Sequence, residues 1–355
     1  MAGTVLLTGA SGYIALHILD HALKRGYSVI GTVRSTEKGE QILKNLHEKY
    51  PETKSFDLTF EIVEDIAVEN AFDGVIKKRG PQLDYVLHTA SPFSFGFTTT
   101  YEEALLKPAI NGTANILKAV KEYAPNVKKV VITSSLAAVL DMDKLEDKSH
   151  VLTEKCWNPI EVDQIKDPMN AYRCSKKLAE KTVWKFVEEE KPSFKVTTVL
   201  PPLVIGPQLF DSDAKKPVLN VSANKVNVLL QSKYTPEYES YKTMSFLGTD
   251  VRDIAEVHMI ALEKPETDGQ RLLSIAGIYG DQLILDLIND NFPQAKGKIA
   301  VGDPSQTQAI LNTGPTYDIS VTLALTGIKF ITLEQSIIDA AAQILKVKPE
   351  ILNRD

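Results

Sequence analysis

"TVLLTGASGYIALHILDHALKRGYSVIGTVR" (residues 4–34) runs from one apolar segment through a glycine-containing turn and a helix-periodic stretch into a second apolar segment. "TVLLTG" (4–9) predicts a short buried strand, and a helical pattern follows from about Gly12 to Arg25. Gly9 permits a sharp turn between them. Gly12 lets backbone amides come close to a phosphate, and the small Ala15 lets helix and sheet pack closely. The positive end of the helix then faces the phosphate charge. "SVIGTV" (28–33) is the next strand. The order predicts a nucleotide-binding βαβ unit, with the backbone of Gly9, Ser11, Gly12, Tyr13 and Ile14 against the ligand.

The alternation continues. A helix over 36–49 leads to an extended stretch at 55–63. A helix near 67–79, a strand at 84–90, a helix near 104–123 and the strand "KKVVITSS" (128–135) follow. Continuous apolar strands separated by helices imply a parallel sheet covered on both faces. The predicted class is α/β, a Rossmann-type doubly wound sheet with a smaller mixed α/β C-terminal substrate region. "KVTTVLPPLVIGP" (195–207) reads as a sixth strand ending in a proline-rich turn, and "RLLSIAG" (271–277) as one more strand. Helical patterns cover 281–291 and 333–346. Residues 1–200 are therefore expected to form the nucleotide-binding domain, with segments near 228–262 and 304–332 returning to it. Residues 201–355 are expected to form mainly the substrate region.

The 355 residues are 43% hydrophobic and 24% charged, with a formal net charge of -6. That balance lacks the basic footprint of a nucleic-acid binder. Cys156 and Cys174 have no metal-type spacing, and two thiols in so long a chain suggest a reducing compartment. No basic leader precedes the first apolar run, and no run approaches a membrane span. A cytoplasmic protein without membrane, nucleic acid or metal is expected, as a monomer or weak homodimer.

The end of the second strand selects the nucleotide. Arg34 lies 22 residues after Gly12, where an acid would take the ribose 2′-hydroxyl of NAD. An arginine suits a 2′-phosphate instead. Lys38 adds a second cation, so NADPH/NADP+ is the expected cofactor. Asp65 and Ile66 reach the adenine edge, or Asp65 caps a helix; both readings stand at this point.

"NAYRCSKKLAEK" (170–181) places Tyr172 and Lys176 four residues apart on one helical face. Reducing a carbonyl leaves an alkoxide that needs a proton. A phenol can give it, and a nearby ammonium is expected to lower the phenol's pKa. A serine at the end of the fifth strand can hold the carbonyl oxygen. Ser135 is favoured over Ser134, because alternation sends the two to opposite faces and only one can line the site. Lys177, about 100° further round the helix, is expected to be solvated. His88 is expected to be a satisfied core histidine.

"TGASGYIA", "HTASPF", "VVITSS", "NAYRCSKKLAEK", "LPPLVIGPQ" and "DVRDIAEVHMIAL" occur in this order over most of the chain. In these motifs the sequence resembles the extended short-chain dehydrogenases/reductases, in particular the dihydroflavonol-reductase-like branch that includes fungal carbonyl reductases. The resemblance implies NADPH-dependent reduction of aldehydes and ketones, from methylglyoxal-like to bulkier hydrophobic carbonyls. It implies Ser135, Tyr172 and Lys176 as the catalytic set. As cofactor contacts it implies Gly9, Gly12, Arg34, Lys38, Asp65 and Ile66, with Ala90, Ser91 and Pro92 near the riboses, Pro201 and Leu203 near the nicotinamide carboxamide, and Tyr172 and Lys176 as well. Leu200 stands where relatives often carry Asn, and Leu136 where they often carry Ala or an aromatic. Position in strands and loops suggests Phe93, Phe95, Leu136, Val139, Leu203, Val204, Phe210 and the loop around Val226 as pocket walls. The alternatives are an NAD-dependent nucleotide-sugar epimerase or dehydratase, which Arg34 opposes, and a non-catalytic NADPH-sensing scaffold, whose mark would be loss of Tyr172 or Lys176.

Overall fold

The first half of the chain alternates strand and helix: β1 (Thr4–Thr8), α1 (Tyr13–Lys24), β2 (Ser28–Val33), α2 (Thr36–Lys49), β3 (Leu58–Ile62), α3 (Asp73–Arg79), β4 (Tyr85–His88), α4 (Lys107–Tyr123) and β5 (Lys129–Thr133). Then come β6 (Val151–Leu152), α5 (Pro168–Glu190), β7 (Lys195–Leu200), β8 (Leu203–Ile205), α6 (Asp211–Ala214) and α7 (Asn224–Leu229). The last part holds β9 (Phe246–Asp250), α8 (Val251–Glu263), β10 (Arg271–Leu273), β11 (Gly277–Tyr279), α9 (Asp281–Asn291), α10 (Thr307–Leu311), β12 (Thr316–Tyr317), α11 (Ser320–Thr326) and α12 (Leu333–Val347). The computed structural model describes residues 2–91, 98–234 and 245–353.

Seven strands form one parallel sheet in the order β10-β7-β5-β4-β1-β2-β3. The order reverses between β1 and β4, and a doubly wound sheet binds its ligand outside the strand ends at such a point. Alternate side chains serve the two faces. Val5, Leu7, Leu87, Val131 and Val199 pack with α1 and α8 on one side. Leu6, Val86, Val130 and Val196 pack with α3, α4 and α5 on the other. Both faces are thus dry, which explains why these strands read as unbroken apolar runs.

Residues 195–207 do not form one strand. β7 stays in the large sheet, while β8 pairs with β9 in a separate sheet of order β11-β9-β8. Pro201 and Pro202 stand between them, and two residues without N–H groups cannot continue a ladder. The smaller sheet packs with α7, α9 and α12 through Val204, Ile205, Val226, Leu285, Leu333 and Ile337. Val226, expected near the pocket, belongs to this core, and Phe210 to the core under α1. α8 lies against α1, and α11 against α8 and β10. Among the described residues, no helix is long and apolar enough to cross a membrane.

Candidate active site

The turn after β1 is shaped by contact with the end of β4. Gly9 has φ +66, and a Cβ there would come within 2.9 Å of Ala90 Cα. An L side chain is disfavoured at that φ, so both conformation and space call for glycine. The Gly9 N–H donates to Thr32 Oγ1 at 3.1 Å, and the Gly12 N–H to Gly9 O at 2.9 Å. Gly12 is the N-cap of α1, no side chain caps the helix, and its first turn carries no acid. The amides at this end are therefore available to an anionic ligand.

A cleft of about 600 Å3 opens beside this turn. It is lined by Gly9, Ser11, Gly12, Arg34, Lys38, Asp65, Ile66, Ala90 and Ser91, all expected from sequence, and also by Thr32, Val33, Val63, Glu64 and Thr89. Arg34 and Lys38 are both exposed. Asp65 Oδ1 accepts the Ala67 N–H at 2.8 Å, so its carboxylate shapes the local turn while the residue lines the cleft. A glycine cradle, an uncapped helix end and two cations at the far end of the cleft fit a dinucleotide bearing a 2′-phosphate.

A second cleft of about 410 Å3 continues from the same turn. Gly12, Tyr13 and Ile14 form one side. Thr89, Thr133, Tyr172, Val204 and the segment Leu219, Asn220, Val221 and Ser222 complete it. Tyr13 lines this cleft while its hydroxyl donates to Gly206 O at 2.7 Å.

The Tyr172 hydroxyl lies 3.5 Å from Ser135 Oγ, which also accepts the Ala137 N–H at 3.1 Å. Ser134 instead donates to Glu180 Oε2 at 2.7 Å in the interior. The extended backbone just past β5 thus turns Ser135 toward Tyr172 and Ser134 away. Burial pushes the Tyr172 phenol above its usual range, opposed by the Ser135 hydrogen bond. That reverses the expected lowering. Lys176 Nζ donates to Ser91 Oγ at 3.0 Å, and burial brings its own pKa down to about 8 against the favourable charge of Glu180.

Glu180 was not singled out from sequence, although it follows Lys176 by four residues and Tyr172 by eight on the same face of α5. Its carboxylate accepts from Ser134, from Thr198 Oγ1 at 2.9 Å and from Arg271 Nε at 2.7 Å. Arg271 in turn donates to Cys156 O at 2.8 Å and stacks 3.8 Å from the Trp157 ring centre. Helix α5 is thereby clamped to β5, β7 and β10.

Lys177 corrects an expectation. It is 1% exposed, with Nζ on Ile160 O and on Glu161 Oε1 at 2.9 Å. The 100° rotation does take it off the Tyr172 face, but onto the chain at 160–161 and not into solvent. His88 is buried, with Nδ1 2.8 Å from Thr8 Oγ1, and burial lowers its pKa to about 3. Leu136 and Val139, expected in the pocket wall, are buried with Leu140, Leu200 and Leu273. Leu203 packs against the core of the smaller sheet, and Pro201 O accepts the Leu136 N–H at 2.8 Å. Pro92, Phe93 and Phe95 lie outside the described residues. No cluster of potential metal ligands occurs among the described residues.

The sequence is 44% identical over 354 residues to the NADPH-dependent methylglyoxal reductase of Saccharomyces cerevisiae, covering 98% of this chain and 100% of that one. It is 35% identical over 348 residues to a ketoreductase of Aspergillus niger, covering 98% of each. The fold is similar to the crystal structure of yeast methylglyoxal/isovaleraldehyde reductase complexed with NADPH. The TM-score is 0.89 at 41% identity, over 98% of this chain and 99% of that one. Residues 5–276 match the NAD dependent epimerase/dehydratase family, and the chain belongs to it.

Proposed function

We propose that this chain reduces aldehydes and ketones to alcohols with NADPH, and that Tyr172 supplies the proton. The observation that carries the reading is the Tyr172–Ser135 contact of 3.5 Å, at the wall of the cleft that continues the glycine turn. The family name mentions NAD, but position 34 holds an arginine where an NAD site needs an acid. The relatives named for methylglyoxal reduction use NADPH, and Arg34 with Lys38 supports the same choice here.

Gly9, Ser11, Gly12 and the start of α1 would hold the diphosphate, Arg34 and Lys38 the 2′-phosphate, and Asp65, Ile66, Ala90 and Ser91 the adenosine side. When bound, NADPH contributes a hydride. Ser135 Oγ holds the carbonyl oxygen of the substrate. Tyr172 donates its phenolic proton to that oxygen as negative charge develops there. The raised pKa of the buried phenol keeps it protonated at neutral pH, which is the form an acid requires. Lys176, one helical turn from Tyr172, is held on Ser91 and would bond the ribose hydroxyls of the cofactor. Val204 and Val221 give the cleft an apolar wall suited to alkyl or aryl substituents. The substrates are small-molecule carbonyls, the compartment is the cytoplasm, and the protein is a monomer or weak homodimer.

The test is NADPH consumption with a panel running from methylglyoxal to aryl ketones. Oxidation of the cofactor with several members is expected; binding of NADPH without turnover of any would leave a sensing scaffold. Arg34→Asp is expected to weaken NADPH binding roughly ten- to a hundredfold, the scale of hydrogen bonds to a charged group, with NADH little affected. A preference for NADPH that survives this change refutes the assignment.

A further inference from the structure

We propose that Lys216, on the segment between α6 and α7, is a cation for the diphosphate of the bound dinucleotide; this rests on the glycine turn being the dinucleotide site. A third cavity, of about 250 Å3, abuts that turn. Ser11 and Tyr13 bound it on one side, and Gln208, Asp213, Lys216 and Asn220 on the other. Ser11 also lines the adenosine-side cleft, and Tyr13 and Asn220 also line the nicotinamide-side cleft. The cavity therefore opens at the junction of the two clefts, where the group linking the two nucleosides must pass.

The charges are placed unevenly along this path. Arg34 and Lys38 stand at the adenosine end, and Lys176 is held on Ser91 just past the end of β4. Among the described residues lining the junction cavity, Lys216 is the one cation. Its side chain is 59% exposed and paired with Asp213 Oδ1 at 2.6 Å. The Asp213 side chain is 18% exposed, and a pair with its lysine in solvent contributes modestly. A diphosphate offers the exposed ammonium further charged oxygens to bond.

The cavity also has a built polar wall. Gln208 is 6% exposed, and its Nε2 has no hydrogen-bond partner among the described residues. Its backbone is fixed from α12, with the Gln208 N–H donating to Gln343 Oε1 at 2.7 Å and Gln343 Nε2 donating to Gln208 O at 3.0 Å. Buried donors are normally satisfied, and a phosphate oxygen or its water would satisfy this one.

Dissociation constants for NADPH and for NADH, measured by fluorescence titration at low and high salt, test this. Lys216→Ala is expected to weaken both cofactors alike, on the order of tenfold at low salt, and by less at high salt. Asp213→Asn, which frees the lysine and removes a negative charge, is expected to tighten both. The unfolding midpoint of Lys216→Ala should match that of the unaltered chain, since the side chain is exposed. Arg34→Asp weakens NADPH alone and reports separately on the dinucleotide site. Should the unaltered protein bind both cofactors while Lys216→Ala leaves both constants unchanged, or weakens NADPH only, the assignment of Lys216 is overturned and the dinucleotide reading stands. If the unaltered protein binds neither cofactor, the dinucleotide reading falls and the proposal with it.

Discussion

Tyr172→Phe is expected to lower carbonyl turnover roughly a hundred- to ten-thousand-fold, the usual contribution of a positioned general acid. This corresponds to about 3–5 kcal/mol of barrier. The substitution keeps the ring that packs beside Leu105, Leu106 and Ala171 and removes only the hydroxyl facing Ser135. The unfolding midpoint and the NADPH dissociation constant should therefore stay near those of the unaltered chain, with the loss appearing in kcat. Unchanged kcat in a folded, NADPH-binding Tyr172→Phe protein would mean that another group delivers the proton.

The second large effect concerns stability. Glu180→Gln is expected to destabilise the fold by about 3–5 kcal/mol, because it leaves the Arg271 guanidinium buried without its counter-charge. The Glu180 side chain is 0% exposed and that of Arg271 10% exposed, with Nε and Oε1 2.7 Å apart. Urea unfolding measures the change. The double variant Glu180→Gln/Arg271→Gln should be less destabilised than the sum of the single variants, since the two groups touch. If Glu180→Gln shifts the urea midpoint no more than an ordinary surface substitution, the clamp contributes nothing. Because Glu180 also receives Ser134, the neighbour of Ser135, the surviving folded fraction reports on positioning as well. A fall in kcat there, smaller than for Tyr172→Phe, is expected.

Much of the site was legible because its signals are local. The glycines at 9 and 12, the arginine ending β2 and the Tyr172–Lys176 spacing each depend on a few consecutive residues, and eight of the adenosine-side residues expected from sequence line one cleft together with Gly9. The pocket walls were less legible. Leu136 and Val139 look from sequence like residues just past a site, yet the 3-10 turn after Ser135 tucks them into a core shared with β7 and β10. The segment Leu219–Ser222 carries no motif that points to this site, yet it lines the cleft from between α6 and α7.

The sequence by itself determined the parallel sheet, the nucleotide turn, the cation at position 34 and the helix bearing Tyr172 and Lys176. Each follows from a short-range rule: strand or helix periodicity, the backbone freedom of glycine, or the pitch of one helix. Tertiary structure alone decided that Lys177 is buried, that residues 203–205 leave the main sheet, and that Glu180 is neutralised by an arginine 91 positions later. Those outcomes depend on which segments pack together across long sequence separations. In such contacts burial and charge pairing, not local propensity, set the energy.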